Sequence, residues 1–313
     1  MLIENMSFIP KRISLKDDAL HKSKGVGQVE TWYYEGIFKN NYSIVSLVNI
    51  FCFRKIGIVL TGLFIYKDNK LVKNIRNRAS LRYFNVSEEK LLIVTNKEPL
   101  ITLRIENDPN KWDCKVVMGD KKNGFDLNFF NAKKPWGGNQ YLGRWIVVPR
   151  SEIKGILYHE GKKIDVTGEG YHDHNIYPFY KPLFNKGVNW GKIRTESFNI
   201  VWAWVMKNSK KQEYICVINK DNEFFSIPSQ DVNLSVKSHI KKHRKIVPTK
   251  YNIYVKKNDI LIDIDIESID CHFIKIPSVK YWRHHAHNTG EIKIGNISEK
   301  VDDVEIIDQL SFL

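Results

Sequence analysis

The sequence predicts an all-β protein whose antiparallel strands form sandwiches or barrels. Apolar and polar residues alternate along short segments, as in ILIDIDIE, where Ile260, Ile262, Ile264 and Ile266 share one face of a strand. Turn-forming groups separate such segments: Asp68-Asn69, Lys122-Asn123-Gly124, Asp221-Asn222 and Lys257-Asn258-Asp259. The chain contains no βαβ rhythm and neither GxGxxG nor GxxxxGK[ST], so a nucleotide-binding α/β fold is not expected.

The composition indicates a folded protein of a reducing compartment. A chain of 313 residues, 42% hydrophobic and 12% aromatic, can bury one large core or two ordinary ones. Four cysteines without CxxC spacing argue against a disulfide framework: Cys52, Cys114, Cys216 and Cys271. The first twelve residues do not show the pattern of a signal peptide. We therefore expect a cytoplasmic protein.

The charge balance favours an anionic partner. The sequence has 49 Lys and Arg residues against 35 Asp and Glu, which gives a formal net charge of +14. Such a charge favours binding to nucleic acid or to an acidic membrane, or it simply reflects a well-solvated surface. The most basic run, Lys237–Lys250, contains no interleaved aromatic residues and no RNA- or DNA-binding motif. Nucleic acid is therefore not expected. The run is interpreted as a solvated strand edge, with peripheral contact to an anionic membrane as the alternative.

One segment resembles a membrane span but is better explained as two strands. Residues Tyr42 to Ile65 are mostly apolar, yet Arg54 and Lys55 lie at the centre, where each would cost roughly 2.5–3.5 kcal/mol in a bilayer. The segment is rich in Val, Ile and Phe, which favour strands. We predict two strands joined by a turn at Arg54–Gly57.

A proline- and glycine-rich segment, Pro178 to Gly191, predicts a domain boundary. It divides the chain into an N-terminal β domain of residues 1–186 and a C-terminal β domain of residues 187–313, each of a size suited to a barrel. Helical periodicity is weak throughout. Ser14–Lys22 and Glu299–Gln309 are the best candidates for short helices.

The densest group of chemically able side chains is GEGYHDHN, Gly168 to Asn175. In a straight strand, His172 and His174 share one face, while Tyr171, Asp173 and Asn175 share the other. A bulge at either glycine would exchange the faces. The sequence leaves open which side chains point inward.

Three chemistries fit this motif. A metal site would combine His172 and His174 with histidines of YWRHHAHN, namely His284, His285 or His287, although no defined ligand spacing supports it. Alternatively, Asp173 is a general acid: burial keeps a carboxyl group neutral and able to donate a proton. In the third interpretation, Asp173 and Asn175 cap a turn before Pro178.

Tryptophans form the second notable group. In NIVWAWVM, Trp202 and Trp204 lie on one face of a strand and Val201, Ala203 and Val205 on the other, so burial on both sides is expected. Trp190 lies upstream, and ETWYYEG contributes Trp32 and Tyr34. Such rings could line an apolar pocket and stabilise a developing cation, or they could simply fill the core.

Several blocks, in this order, resemble the carotenoid 1,2-hydratase (CrtC) and AttH family, a lipocalin-like group that is related to tocopherol cyclase and fungal pericyclases. Glu30-Thr31-Trp32-Tyr33-Tyr34 is similar to the family's early Glu-Trp-Trp-Tyr strand. The block from Trp145 to Asn175 is similar to its Gly-x-Gly-Tyr-x-Asp-His-Asn region. Val201–Val205 and Tyr281–Gly295 are similar to its second domain.

The resemblance implies two lipocalin-like β-barrels packed together, with an apolar pocket at their junction. It also implies protonation of an isoprenoid-type alkene and capture of the cation by water or an internal hydroxyl, without a cofactor or metal. Asp173 would donate the proton, with Tyr171 and His174 as catalytic partners. The residues implied to bind substrate are Trp32, Tyr34, His172, Asn175, Trp190, Trp202 and Trp204. The competing hypothesis is a lipocalin-like carrier that binds a prenyl lipid or another apolar molecule unchanged.

Overall fold

The computed structural model describes residues 8–21, 27–53, 56–96, 102–207, 212–276 and 279–312. The chain divides into two compact units. One consists of residues 11–181, and the other of residues 182–313 together with residues 1–10. Each unit contains its own antiparallel sheet, and the two are described separately.

The first unit is a strongly curved antiparallel sheet. Its strands within the described residues are β1 Gln28–Phe38, β2 Tyr42–Phe53, β3 Ile56–Lys67, β4 Lys70–Ser80, β5 Phe84–Val86, β6 Leu92–Thr95, β7 Thr102–Asn107, β8 Cys114–Gly119, β9 Asn123–Phe130, β10 Trp136–Asn139, β11 Arg144–His159 and β12 Lys162–Pro178. The order is β4-β3-β2-β1-β12-β11-β9-β8-β7-β6-β5, and β10 also pairs with β11. The first and last strands, β1 and β12, pair inside this order, whose two ends are β4 and β5, and the sheet curves nearly into a barrel.

The second unit repeats this plan with longer strands. Its strands are β13 Gly187–Arg194, β14 Phe198–Met206, β15 Gln212–Lys220, β16 Glu223–Ile227, β17 Val232–Lys242, β18 Lys245–Lys257, β19 Ile260–Ile276, β20 Val279–Ile294 and β21 Ile297–Phe312. The order is β16-β15-β14-β13-β21-β20-β19-β18-β17. Again the first strand pairs with the last, β13 with β21. The predicted all-β fold of two antiparallel barrels is confirmed.

The hairpin turns use the residues that the sequence indicated. Asp68 and Asn69 join β3 to β4 with φ of 49° and 66°, and Asp221 and Asn222 join β15 to β16 with φ of 49° and 61°. Two successive residues at positive φ match the twist of the strands on either side, and among residues other than glycine Asn and Asp tolerate this conformation best.

The apolar segment Tyr42 to Ile65 forms β2 and most of β3, which pair along their whole length, as predicted. The predicted turn residues Arg54 and Lys55 lie outside the described residues. No helix in the described part of the chain combines the length and the apolar character that a membrane crossing requires.

The helix predicted over Glu299–Gln309 is wrong. This segment lies inside β21, which pairs with β20 along its full length and with β13 at its C-terminal end. Continuous backbone pairing with β20 outweighs a weak local periodicity. Near Ser14, the chain forms only a short 3-10 helix, Leu15–Asp18; Lys22 lies outside the described residues.

Each barrel encloses an apolar core. In the first, Trp32, Tyr34, Phe129 and Leu63 are fully or almost fully buried within one cluster. In the second, Trp202 packs with a ladder of isoleucines that includes Ile262, Ile264 and Ile266, the residues whose alternation predicted the strand. Side chains therefore fill both interiors, as in small barrels generally.

Candidate functional site

The GEGYHDHN motif lies in β12, between β1 and β11. The register between β12 and β1 is unbroken along the motif. The irregularity lies on the other neighbour, β11, where the pairing shifts between Val148 and Ser151. Since β12 remains straight through Gly168 and Gly170, its side chains alternate between faces as predicted for a straight strand.

The two glycines permit close packing. A Cβ atom on Gly168 would collide with the carbonyl oxygen of Ile37 on β1. A Cβ atom on Gly170 would lie 2.6 Å from the ring of Phe129 in the barrel interior. The motif therefore needs glycine to bring β1 and the core aromatic residue against β12.

Tyr171, Asp173 and Asn175 lie together on the face of β12 that points away from the barrel core. The Tyr171 hydroxyl donates a hydrogen bond of 2.8 Å to Asp173 Oδ2, and Asn175 Nδ2 donates one of 2.8 Å to Asp173 Oδ1. Asp173 is nevertheless only 2% exposed. Both carboxyl oxygens of a buried acid are thus held in fixed directions by neighbours on its own strand.

A second tyrosine–carboxyl pair lies on β1, next to the pair on β12. Tyr33 is directly opposite Asp173, and Glu35 is opposite Tyr171. The Tyr33 hydroxyl donates to Glu35 Oε2 at 3.0 Å, and the rings of Tyr33 and Tyr171 meet edge to face at 6.1 Å. All four side chains are at most 3% exposed. Together with Asn175 they form what we term the outer-face cluster.

The outer-face cluster is suited to proton transfer. Within each pair a phenol bonds directly to a carboxyl group, so a proton can pass between the two groups of that pair. Aromatic rings next to the acid also provide faces that attract a cation.

The opposite face of β12 carries a different set of groups, which we term the interior network: Asp18, His21, Glu30, His172 and His174. His172 Nε2 lies 3.0 Å from Asp18 Oδ2, and its Nδ1 lies 2.9 Å from the carbonyl oxygen of Tyr33. His174 Nε2 lies 3.0 Å from Glu30 Oε2, and its Nδ1 lies 3.2 Å from Asp18 Oδ1. His21 Nδ1 approaches Glu30 Oε2 at 3.2 Å.

The charges of the interior network stabilise one another. Burial raises the pKa of Asp18, but His172 and His174 outweigh burial and lower the pKa to about 2. Burial likewise raises the pKa of Glu30, and bonding to His174 and His21 lowers it below its usual range. For His174, burial lowers the pKa, but Asp18 and Glu30 outweigh it and raise the pKa. The two carboxyl groups therefore favour the protonated form of His174.

The predicted catalytic partner His174 and the predicted substrate residues Trp32, Tyr34 and His172 all lie on the interior side. Trp32 stacks on His174 with ring centroids 4.1 Å apart, and Tyr34 stacks on His172 at the same distance. Trp32 Nε1 donates to the Asp18 carbonyl oxygen at 3.0 Å. The structure thus separates these four residues from Asp173 by the thickness of the sheet.

The predicted tryptophans of the second unit divide between two faces of its sheet. Trp202 is buried in the core, and Trp204 is half-buried beside it with its Nε1 donating to Gln212. Trp190 on β13 is opposite Ala203, on the other face, where Lys192 Nζ lies 5.3 Å from its ring. The burial on both sides predicted for NIVWAWVM is present in β14, where residues 198–203 and Val205 are buried.

The histidines of YWRHHAHN lie in β20. His284 is buried and bonds to Ser268 Oγ at 2.9 Å, and exposed His287 bonds to Asp302 at 2.6 Å. Burial lowers the pKa of His284 to about 4 and that of His285 to about 3. Within the described residues, the group of three potential metal ligands is instead His21, Glu30 and His174.

The low pKa values of His284 and His285 predict that acid lowers the stability of the protein. Both are neutral in the folded protein, whereas the unfolded chain binds protons on them below about pH 6.5. The free energy of unfolding should therefore fall between about pH 6.5 and 4, by up to about 1.4 kcal/mol per pH unit for each histidine. His284→Gln should remove about half of this slope in urea titrations at several pH values. The same substitution at exposed His239 should leave the slope unchanged, and an unchanged slope in His284→Gln would contradict the assignment.

Sequence reasoning missed Asp18, His21, Tyr33 and Glu35 as site residues. Asp18 and His21 belong to the segment before β1, and no local motif marks them as partners of β12. Tyr33 and Glu35 could have been found. In a strand formed by ETWYYEG the odd-numbered side chains share one face, and pairing of this strand with β12 places them beside Tyr171 and Asp173.

The basic run Lys237–Lys250 forms the hairpin of β17 and β18. Lys237, Lys241 and Arg244 are exposed, and Ile246, which is opposite Lys241 on the paired strand, is 66% exposed. Some cations are paired, such as Lys250 with Glu267 at 3.1 Å. The hairpin is therefore a cationic surface with an apolar side chain at its tip.

A small cavity borders the interior network. Asp18, Asn107, Cys114 and His172 contribute its polar lining, and its volume is about 10 Å³. This is about the space that one water molecule needs. The cavity is too small for a prenyl chain.

Comparison with known proteins identifies the fold. No protein-family model matches the chain, and no curated protein matches its sequence. Among solved structures, an AttH-like protein from Nitrosomonas europaea matches with a TM-score of 0.73 and 11% identity, covering 96% of this chain and 97% of that one.

Two further structures share the fold over almost their whole length. Kievitone hydratase from Nectria haematococca matches with a TM-score of 0.58 and 11% identity, covering 97% of this chain and 98% of its own. CghA, solved with Sch210972, matches with a TM-score of 0.64 and 7% identity, covering 98% of both chains. At these identities the likeness establishes a common fold and no activity.

Proposed function

We propose that this protein is an acid-catalysed hydratase or cyclase that acts on an apolar, isoprenoid-type alkene, with Asp173 as the proton donor. The observation that carries the proposal is the burial of Asp173 between Tyr171 and Asn175, each 2.8 Å from a different carboxyl oxygen. A fixed acid shielded from water is what protonation of an unactivated alkene requires. The fold shared with a kievitone hydratase is consistent with this chemistry.

The reaction would begin with proton transfer from the Asp173 carboxyl group to the less substituted alkene carbon. The π electrons form the new C–H bond, which leaves a tertiary cation on the neighbouring carbon and a carboxylate on Asp173. In hydration, a water oxygen bonds to the cation and releases a proton; in cyclisation, an internal hydroxyl takes the place of water. The released proton restores the acid, so no cofactor takes part.

Glu35 is the second carboxyl group of the outer-face cluster and supports the capture step. It is fully buried, bonds to the Tyr33 hydroxyl at 3.0 Å and lies opposite Tyr171 on the paired strand. Glu35 could accept the proton that water loses, and that proton would then return to Asp173 before the next turnover. Two carboxyl groups with different surroundings are a common way to divide acid and base roles.

A carrier that binds an apolar molecule unchanged is the rival function. The packed interior of the first barrel, filled by side chains such as Trp32, Tyr34 and Phe129, does not separate the two functions, because both need room for an apolar molecule. A carrier, however, does not require a buried acid with both oxygens oriented. The two functions therefore differ in what Asp173 does, and this difference can be measured.

Mass spectrometry of ligands that are extracted from the native protein tests the proposal. We expect the wild-type protein to retain a hydrated or cyclised prenyl compound and Asp173→Asn to retain its alkene precursor. The hydrated product would be heavier by one water, whereas the cyclised product would have the same mass and one fewer double bond. The same unchanged compound in both proteins would favour the carrier.

A further inference from the structure

Three side chains of the interior network bring potential metal-binding atoms together. His21 Nδ1 lies 3.2 Å from Glu30 Oε2, and His174 Nε2 lies 3.0 Å from that same oxygen. All three atoms lie within 4.8 Å of one another. They come from three separate parts of the first unit: the segment before β1, β1 itself and β12.

We propose that His21, Glu30 and His174 form a binding site for a divalent transition-metal ion of the zinc type. Two imidazoles and one carboxylate are a common ligand set for zinc with an open fourth position. In a tetrahedral site with bonds of about 2.0–2.1 Å, neighbouring ligand atoms are about 3.3–3.4 Å apart. The two contacts to Glu30 therefore need to lengthen by only a few tenths of an ångström, while the two histidine nitrogens, which lie within 4.8 Å of each other, need to approach to about 3.4 Å.

The residues around these ligands are arranged as the outer partners of a metal site. Asp18 Oδ1 lies 3.2 Å from His174 Nδ1 without an aligned hydrogen bond, and a small rotation of either side chain would let Asp18 fix the tautomer that directs Nε2 toward the ion. Gln28 Nε2 donates to Glu30 Oε1 at 2.6 Å, which orients the carboxylate and leaves Oε2 for the metal. Such carboxylate–histidine–metal chains are typical of bound zinc.

The site has a route from solvent. The His21 side chain is 30% exposed, whereas Glu30 and His174 are almost fully buried. An ion can therefore enter on the His21 side, and water can take the fourth position. A bound ion would replace the hydrogen bond between His174 Nε2 and Glu30 Oε2 with one metal bond to each atom. The proton of that hydrogen bond would be released to solvent.

The expected role of the ion is structural. His174 points to the barrel interior, and Asp173 points to the opposite face of β12, so the ion would not touch the proposed reacting groups. Instead it would fasten the segment that contains His21 to β1 and β12. This role is independent of the proposed hydratase or cyclase activity.

Cobalt titration of the full-length protein without an affinity tag tests the site. We expect one equivalent of Co²⁺ to bind with the visible absorption of a tetrahedral complex, and Zn²⁺ to displace it. His21→Ala should weaken binding by more than about 100-fold, because it removes a direct ligand. Asp18→Asn should weaken binding by about 10–100-fold, the usual effect of an outer partner.

His287→Ala is the matched control, because His287 is an exposed histidine that is paired with Asp302 and can collect metal adventitiously. It should leave the absorption and the stoichiometry unchanged. Circular dichroism would verify that His21→Ala is folded, and Zn²⁺ should raise the melting temperature of the wild type but not of this variant. No tetrahedral Co²⁺ complex in the wild type, or an identical one in His21→Ala, would overturn the proposal.

Discussion

Asp173→Asn is expected to lower the turnover of the alkene substrate by about 10²–10⁴-fold, the contribution that general acid catalysis usually makes. Asparagine has nearly the same shape, and its Oδ1 can still accept a hydrogen bond from Tyr171 or Asn175. It cannot donate a proton of sufficient acidity. Stability and ligand affinity should therefore change little while kcat falls, which steady-state kinetics and a binding titration would separate.

Two comparison variants make this result specific. Asp165→Asn changes an exposed aspartate on the same face of β12, and full activity is expected. Tyr171→Phe removes one hydrogen bond to Asp173 but keeps the acid, so a loss smaller than that of Asp173→Asn is expected. Wild-type turnover in Asp173→Asn would exclude Asp173 as the proton donor.

Trp32→Ala is expected to lower the free energy of unfolding by about 3–5 kcal/mol, the usual cost of removing a large aromatic side chain from a core. Trp32 is fully buried, stacks on His174 at 4.1 Å and donates a hydrogen bond to the Asp18 carbonyl oxygen. The substitution would leave a cavity, and it would leave that buried carbonyl without this donor. Urea denaturation followed by circular dichroism measures the loss.

The Trp32 experiment distinguishes a core role from the substrate-binding role that the sequence predicted. Trp204→Ala is the comparison, because Trp204 is half-buried and its removal should cost clearly less stability. If Trp32→Ala lost less than about 1 kcal/mol but bound the substrate much more weakly, Trp32 would be a binding residue and not a core residue.

Much of the fold could be predicted because the sequence alternates with a period of two. That pattern specified which side chains of β12 share a face and which residues of β14 are buried on each side. Asp-Asn pairs specified hairpin turns because few residue types tolerate positive φ at two successive positions. Alternation and turn chemistry depend only on residues that are close together in the chain, so they can be predicted from a single sequence.

Features that depend on distant pairing were not predictable. The sequence suggested a bulge at the glycines of β12, but the irregularity in the pairing lies in the neighbouring strand β11, between Val148 and Ser151. The partners of His172 and His174 come from a short 3-10 helix and from β1, about 150 residues earlier in the chain. The segment over Glu299–Gln309 is a strand because β13 and β20 pair with it.

The most direct test of the central proposal is the reaction in D₂O, with the product analysed by mass spectrometry. If Asp173 protonates the alkene, wild-type protein should place one deuterium from solvent on the alkene carbon, and Asp173→Asn should form almost no deuterated product. In H₂¹⁸O, incorporation of ¹⁸O would then identify hydration, and its absence would identify cyclisation. A wild-type product without solvent deuterium would contradict an acid-catalysed mechanism.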